Sequence, residues 1–215
     1  ELVKIEKLKR LRISSIEVTE LNDAVLEVIK SNKVIVDHLH IPLQAGSDEI
    51  LKAMNRKYNL DYYKNKIKQI RSIRPDISIS TDIIVGFPGE DEKLFEQTLK
   101  TAQSIAFSKI HVFPYSIRKN TKAASMPNQV DGKIKKERAK RLIELSKELE
   151  IEYMNKFVGK TVEVLTENNK DGITYGHTGN FLHVKINKVL PNDLLKMVKI
   201  TSVSYPYVIG ELIDE

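Results

Sequence analysis

The sequence predicts an α/β protein: part of a TIM-type (β/α) barrel followed by a small all-β barrel. Three observations carry this. Ser80 to Val85 is an apolar, β-branched run that ends in Gly86-Phe87-Pro88-Gly89-Glu90, and a helical pattern starts at once. That is the profile of a buried parallel strand, a tight turn and the helix that closes a βα unit. The order β-α-β-α-α-β-α-β-α repeats this grammar through residues 1–155 and implies a parallel sheet with right-handed crossovers. From residue 156 the pattern changes to five short alternating segments, 161–166, 173–175, 181–186, 197–203 and 207–213, separated by Gly, Asn and Asp; such spacing argues a small β-barrel. The boundary is expected at 155/156. Four strands do not close an eight-stranded barrel, so further strands are expected upstream of those seen.

Taken in order, residues 11–17 read as a strand that turns polar at its end. Thr19 is placed to cap a helix over 20–31. Residues 34–43 read as the next strand, ending in Gln44-Ala45-Gly46-Ser47, with Ser47 as N-cap of a helix over 48–56 whose Asp48 and Glu49 suit the positive end of the dipole. Asp61 is the expected cap of a helix to about residue 73, stopped by Pro75. Strand 77–85 precedes an amphipathic helix over 91–105, and 108–115 reads as a fourth strand. Residues 118–130 lack a period and read as a long loop. A long, basic-starting helix covers 133–155.

Composition narrows the function classes. The chain of 215 residues is 41% hydrophobic and 30% charged, enough for a sizeable core. No run approaches membrane-spanning length and the first residues are not a signal peptide, so the expectation is a cytoplasmic protein without a membrane partner. There is no cysteine, hence no disulfide, thiolate-held metal or iron–sulfur ligation from these residues. The net charge of +6 is compatible with a nucleic-acid partner.

Ligands of α/β folds sit at the carboxyl ends of the strands, and all four strand ends here are polar or Gly/Pro-rich. Polar residues also interrupt strands that should be apolar: His38, His40 and Gln44 share one face, Ser80 and Asp82 another. Such groups need partners, which a ligand-holding interior supplies; satisfied core histidines are the plainer reading. A His-x-His metal site lacks a third ligand. The glycine turn holds no serine nucleophile and lacks the Gly-Lys-Ser/Thr ending of a phosphate loop.

The motifs His40-Ile41-Pro42-Leu43-Gln44-Ala45-Gly46-Ser47, Thr81-Asp82-Ile83-Ile84-Val85-Gly86-Phe87-Pro88-Gly89-Glu90 and Tyr115-Ser116, with Thr121 and Ala123-Ala124 downstream, resemble the radical S-adenosylmethionine methylthiotransferases in order and spacing. The small barrel after the long helix is similar to that family's TRAM domain. Residues Ile110 to Ser116, Arg118, Ala123, Ala124, Met126 and Gln129-Val130, with Leu11 to Glu17, are most similar to the branch that methylthiolates N6-threonylcarbamoyladenosine beside the tRNA anticodon. Lys119-Asn120-Thr121-Lys122 departs from the Gly-Thr-Pro typical there, with consequences for loop stiffness.

The resemblance implies that the chain carries strands three to six of a six-stranded partial barrel plus TRAM. It implies an upstream Cys-x-x-x-Cys-x-x-Cys loop and two 4Fe–4S clusters in the intact protein, a monomer, whose cofactor S-adenosylmethionine is cleaved reductively to a radical that acts on the adenine. The chain alone is expected to be inactive and to bind S-adenosylmethionine weakly or not at all. By the family pattern, Ile84, Val85 and Gly86 lie against adenine, Gln44 and Ser47 end the strand of ribose contacts, and Phe113 and Tyr115 pack on the nucleoside. Arg12, Ser15 and Glu17 are candidates for the methionine end or for substrate. For Ser47, helix capping is the competing role. The ribosomal-protein aspartate and isopentenyladenosine tRNA enzymes are the alternatives within the family; a cysteine-free RNA-binding module is the alternative outside it.

For RNA, residues 48–76 hold eight Lys/Arg against four Asp/Glu and 133–141 adds six Lys/Arg, including Lys133, Lys135 and Lys136. Such faces track phosphates or are simply solvated. Tyr175, His177, Asn180 and Phe181 form an aromatic-rich glycine turn of the kind on which small barrels stack bases, with a core-packed hairpin as the alternative. The barrel's near-balanced charge favours contact with the folded anticodon stem-loop of tRNA over general polyanion or DNA binding.

Overall fold

A computed structural model describes residues 1–213. Its contacts divide the chain into two compact units. One comprises residues 1–12, 34–38 and 150–215; the other comprises 13–33 and 39–149. None of the described helices is long and apolar enough to cross a membrane.

The α/β unit is built on the parallel sheet β1 (His38–His40), β2 (Ser78–Val85) and β3 (Lys109–Pro114), in that order. Its helices are α1 (Asp23–Ser31), α2 (Asp48–Ala53), α3 (Leu60–Ile73), α4 (Glu92–Ile105) and the part of α5 (Gly132–Asn155) up to residue 149. Strand β2 is buried along most of its length, as a central parallel strand must be. Tyr63, Phe95, Phe107, Leu39, Ile41, Leu43, Ile79 and Ile83 are wholly enclosed. Tyr63 shows how a polar tip survives there: its hydroxyl donates to Ile41 O at 2.6 Å.

The sheet differs from the expectation in two places. The segment expected as strand 11–17 makes only two isolated parallel bridges, Leu11 to Ile35 and Ser15 to His40; Arg12, Ser14 and Ser15 are exposed, so no continuous buried face stabilises a ladder. The strand expected over 34–43 is regular only at His38–His40. Pro42 has no N–H to give, and the gap is patched by the buried Thr81 hydroxyl, which donates to Ile41 O at 2.9 Å and accepts from Leu43 N at 2.8 Å. Two expected caps also move. Asn22, not Thr19, caps α1, and Asn59, not Asp61, caps α3, each through its side-chain oxygen to the third following amide. Thr19 lies instead in a short 3₁₀ turn, Val18–Glu20. Ser47 and Asp91 cap α2 and α4. The loop over 118–130 contains one 3₁₀ turn, Lys122–Ser125.

The second unit is a closed five-stranded barrel, in the order β4 (Thr161–Lys170), β5 (Ile173–Thr178), β6 (His183–Ile186), β8 (Tyr207–Leu212) and β7 (Leu195–Ser204). All pairs are antiparallel except β6 with β8. Closure removes free edges, and register shifts at Thr166/Asn168 and Ile200/Ser202 supply the local bending that a small barrel needs. Val164, Val184, Ile186, Val198, Ile200 and Val208 fill the interior with Phe157 and Leu182.

Candidate functional site

The carboxyl ends of β2 and β3 form one wall of a cleft of about 440 Å³, within the size range of small-molecule sites. Ile84, Phe113 and Tyr115 give it apolar and aromatic surface; Gln44, Asp82 and Arg118 give it polar points. Tyr115 is held by an edge contact with Phe87 at 5.2 Å and by its own N–H to Val85 O at 2.8 Å.

Gln44 reaches the cleft through unusual backbone. Its φ is 71°, a left-handed conformation that side chains other than Gly and Asn seldom adopt and that costs on the order of 1 kcal/mol. Two main-chain bonds enforce it: Gln44 N donates to Asp82 O at 2.8 Å and accepts, at its carbonyl, from Ile84 N at 2.9 Å. Behind Asp82 lies a polar chain on the face that the alternation of His38, His40, Ser80 and Asp82 marked in the sequence. His40 Nδ1 is 2.9 Å from Ser80 Oγ, and His40 Nε2 is 3.2 Å from Asp82 Oδ2.

The glycine turn is locked from beneath. Gly86 N donates to Glu90 Oε1 at 2.7 Å, and Arg138 Nη1 donates to Glu90 Oε1 and Glu90 O at 3.0 and 2.9 Å. Burial pushes the Glu90 carboxyl up, opposed by the Gly86 amide and the Arg138 guanidinium. Gly86 has φ of +72°, and a Cβ there would run into the Lys135 side chain. Lys135 Nζ in turn donates to Tyr115 O at 3.0 Å. Sequence reasoning missed this set: Arg138 and Lys135 read as part of a solvated basic face, and only the helical spacing 135/138, facing one side of α5, hinted at an inward pair.

The expected cofactor residues separate. Gln44, Ile84, Phe113 and Tyr115 line the cleft. Val85 is buried and acts through its carbonyl, and Gly86 through its turn. Ser47 is fully buried and caps α2, its hydroxyl accepting from Ile50 N. Ser15 is exposed, and Glu17 pairs with Arg56 at 3.2 Å. Neither Ser15 nor Glu17 lines the cleft. Arg12 belongs to the barrel-containing unit, where its guanidinium lies 4.5 Å over Phe181 and donates to Gly179 O; burial and the neighbouring Arg10 lower its pKa.

In that unit the rings form a column. Phe181 stacks on His177 at 4.9 Å, His177 on His183 at 4.4 Å, His183 meets Tyr207 at 4.4 Å, and Lys185 Nζ caps Tyr207 at 4.0 Å. Tyr175 leans on Tyr207 at 5.6 Å. His177 Nδ1 is 2.8 Å from Glu167 Oε2. Phe181 is half exposed with φ of 69°, an outlier for a bulky residue. Asn180 is turned inward instead: its amide donates to Tyr153 Oη at 2.9 Å and accepts from the Thr178 hydroxyl, so it is spent on the hairpin. Of the α5 lysines, Lys133 and Lys136 are exposed, while Lys135 is committed to Tyr115.

The cleft suits a nucleoside-bearing cofactor. Tyr115 Oη is buried with no hydrogen-bond partner among the described residues, and the strained Gln44 stands beside an aromatic wall. Iron–sulfur ligation does not fit these residues, because the chain has no cysteine.

The radical SAM superfamily model matches residues 1–102. Over those residues, just under half of its length, the chain is similar to the radical S-adenosylmethionine superfamily. It is 38% identical to the threonylcarbamoyladenosine tRNA methylthiotransferase MtaB of Bacillus subtilis, over 98% of this chain and 48% of that protein. It is 40% identical to a tRNA-2-methylthio-N(6)-dimethylallyladenosine synthase of Campylobacter jejuni, over 99% of this chain and 50% of that one. A synthase of the same name from Endomicrobium trichonymphae is 42% identical over 82% of this chain and 42% of its own length. The chain thus spans about half the length of the curated relatives it matches. Among solved structures, the radical SAM enzyme coproporphyrinogen III oxidase of Escherichia coli is similar, with TM-score 0.52 and 15% identity over 88% of this chain and 46% of that one, a likeness of fold.

Proposed function

We propose that this chain is the C-terminal part of a cytoplasmic tRNA-modifying enzyme that methylthiolates N6-threonylcarbamoyladenosine beside the anticodon. Residues 1–155 supply one wall of the S-adenosylmethionine site, and residues 156–215 supply a TRAM-type RNA-binding barrel. The observation that carries the reading is the cleft between the ends of β2 and β3, built from the very motifs that the methylthiotransferase resemblance rests on. The branch rests on the residues from Ile110 to Val130.

Bound S-adenosylmethionine supplies the radical and methyl-transfer chemistry. The residues of this chain bind and orient. Ile84 and Tyr115 shield an adenine face, the Gly86 turn leaves room for the Lys135 stem that holds the Tyr115 carbonyl, and Gln44 and Asp82 meet polar groups. Phe181, half exposed between Arg12 and the rings behind it, offers an edge to unpaired bases, and Lys133 and Lys136 meet phosphates. With no cysteine of its own, the chain by itself is inactive.

Nucleoside analysis of tRNA from a strain lacking the gene tests this. The expected result is loss of the methylthio group from threonylcarbamoyladenosine alone. Loss from dimethylallyladenosine would favour the second branch, for which the 40–42% identities to those synthases speak. Loss only from ribosomal protein, or a natural reading frame without an upstream Cys-x-x-x-Cys-x-x-Cys, would overturn the proposal.

A further inference from the structure

We infer that the outer face of β5, β6 and β8 is a proton-coupled phosphate-binding face, on which the stacked pair His177 and His183 takes up a proton when a nucleic-acid backbone docks. The inference rests on the reading of residues 156–215 as an RNA-binding barrel and adds what regulates that surface.

Side chains of β5 and β6 alternate between buried and half-buried, so Tyr175, His177, His183 and Lys185 share the outer face. Tyr207 of β8 joins them through its ring contacts. His177 and His183 stand directly opposite each other across the ladder, with ring centroids 4.4 Å apart and planes 12° from parallel. The rings of the column cover one another's faces. Arg12 covers Phe181 at one end, and Lys185 covers Tyr207 at the other. The imidazoles therefore present edges rather than faces. The edge of a protonated imidazole carries N–H donors, which suit phosphate oxygens.

His177 Nδ1 lies 2.8 Å from Glu167 Oε2. An ionised carboxylate only accepts, so Nδ1 carries the hydrogen and Nε2 is the atom left to take another proton. The charged groups around the pair are Glu163 and Glu167 of β4, Lys185 of β6, and Arg10 and Arg12, which belong to the same unit. Arg10 donates to His177 O at 3.0 Å and pairs with Glu163 at 3.0 Å. Tyr175 and Tyr207 are the phenols beside His183, and the His38 ring meets Phe181 at 5.2 Å. Cations and carboxylates nearly offset one another here, so one more proton on the pair strengthens the pull on a polyanion. Two charged rings stacked this closely repel. An anion lying along both edges offsets that repulsion, so docking of a phosphate and uptake of a proton favour each other.

The test measures binding of a synthetic anticodon stem-loop RNA to the 215-residue chain at constant ionic strength, between about pH 6 and about pH 7.5, where imidazoles titrate. Calorimetry in buffers of different ionisation enthalpy counts the protons taken up. The affinity of the unaltered chain is expected to fall about tenfold per pH unit on the way up, the slope for one linked proton. His183→Gln and His177→Gln are each expected to flatten most of that slope, with thermal unfolding followed alongside; His177→Gln serves where His183→Gln folds poorly. RNA bound with the same affinity across the range, or a slope unchanged in either folded variant, overturns the inference and leaves the RNA-binding barrel standing. Equal proton uptake with inorganic phosphate at the concentration used for the RNA makes the pair a small-anion site and overturns the backbone assignment. No RNA binding by the unaltered chain at any pH overturns both readings.

Discussion

Arg138 holds Glu90 twice, through its carboxylate at 3.0 Å and its carbonyl at 2.9 Å, in a pair whose side chains are 4% and 0% exposed. The same carboxylate oxygen accepts from Gly86 N, so the shape of the glycine turn depends on a charge carried by α5. A buried ion pair adds little net stability over apolar packing, but removing one partner strands the other. Arg138→Met is therefore expected to cost about 3–5 kcal/mol in urea unfolding. Glu90→Gln keeps an oxygen for Gly86 N and is expected to cost less. The double variant is expected to fall well short of the sum, because the two residues share one network.

Gly86→Ala is expected to destabilise the chain by about 1–3 kcal/mol, from left-handed backbone and from overpacking. The overpacking part is specific, since the new methyl meets the Lys135 stem. Lys135→Ala in the Gly86→Ala background should recover that part and leave the backbone part. Equal stability of the single and double variants in chemical denaturation would contradict the contact.

The stretch 80–90 was legible because everything it needs is local: a β-branched run, two glycines and a proline at its end, and Asp91 to cap the next helix. Barrel closure was legible for the same reason, from short alternating runs with turn residues between them. What escaped were choices made by tertiary partners. Thr19 and Asp61 are good caps by type, but Asn22 and Asn59 fall where the chain leaves the preceding turn. Lys135 and Asn180 resemble solvent-facing RNA contacts by type. The first is aimed at a carbonyl twenty residues earlier, and the second at the Tyr153 hydroxyl. Composition cannot say which lysine of a basic helix faces inward when both faces carry charge.

Stability is expected to fall at alkaline pH. The Tyr58 hydroxyl bonds to the carbonyls of Pro42 and Leu43, and burial pushes its pKa up from 10.0 to about 12. Tyr63, wholly buried, is pushed in the same direction. A phenol with a raised folded-state pKa favours the neutral form. Its contribution is full below pH 10 and is lost as pH rises from there through the folded value. Urea midpoints should be flat up to that point and then decline, and phenolate absorbance should lag behind that of the unfolded chain. In Tyr58→Phe the decline should be shallower, because one of the shifted phenols is gone.

The proposed RNA contact separates into stacking and charge. Phe181 is half exposed in strained backbone, with Arg12 on it and His177 behind it. Phe181→Ala is expected to weaken binding of an anticodon stem-loop by about 1–3 kcal/mol, with an unchanged salt slope. Lys133→Ala with Lys136→Ala removes two exposed charges and should lower the slope of log affinity against log salt by about 1.4–1.8 if both meet phosphates. Lys135→Met should leave that slope unchanged, since its ammonium is bound to Tyr115 O. Asn180→Ala should act on thermal stability before it acts on RNA, because its amide joins Tyr153 to the hairpin. A Phe181→Ala chain that binds RNA normally, or a Lys135→Met chain whose slope falls with the others, would show that the phosphate track and the stacking face lie elsewhere.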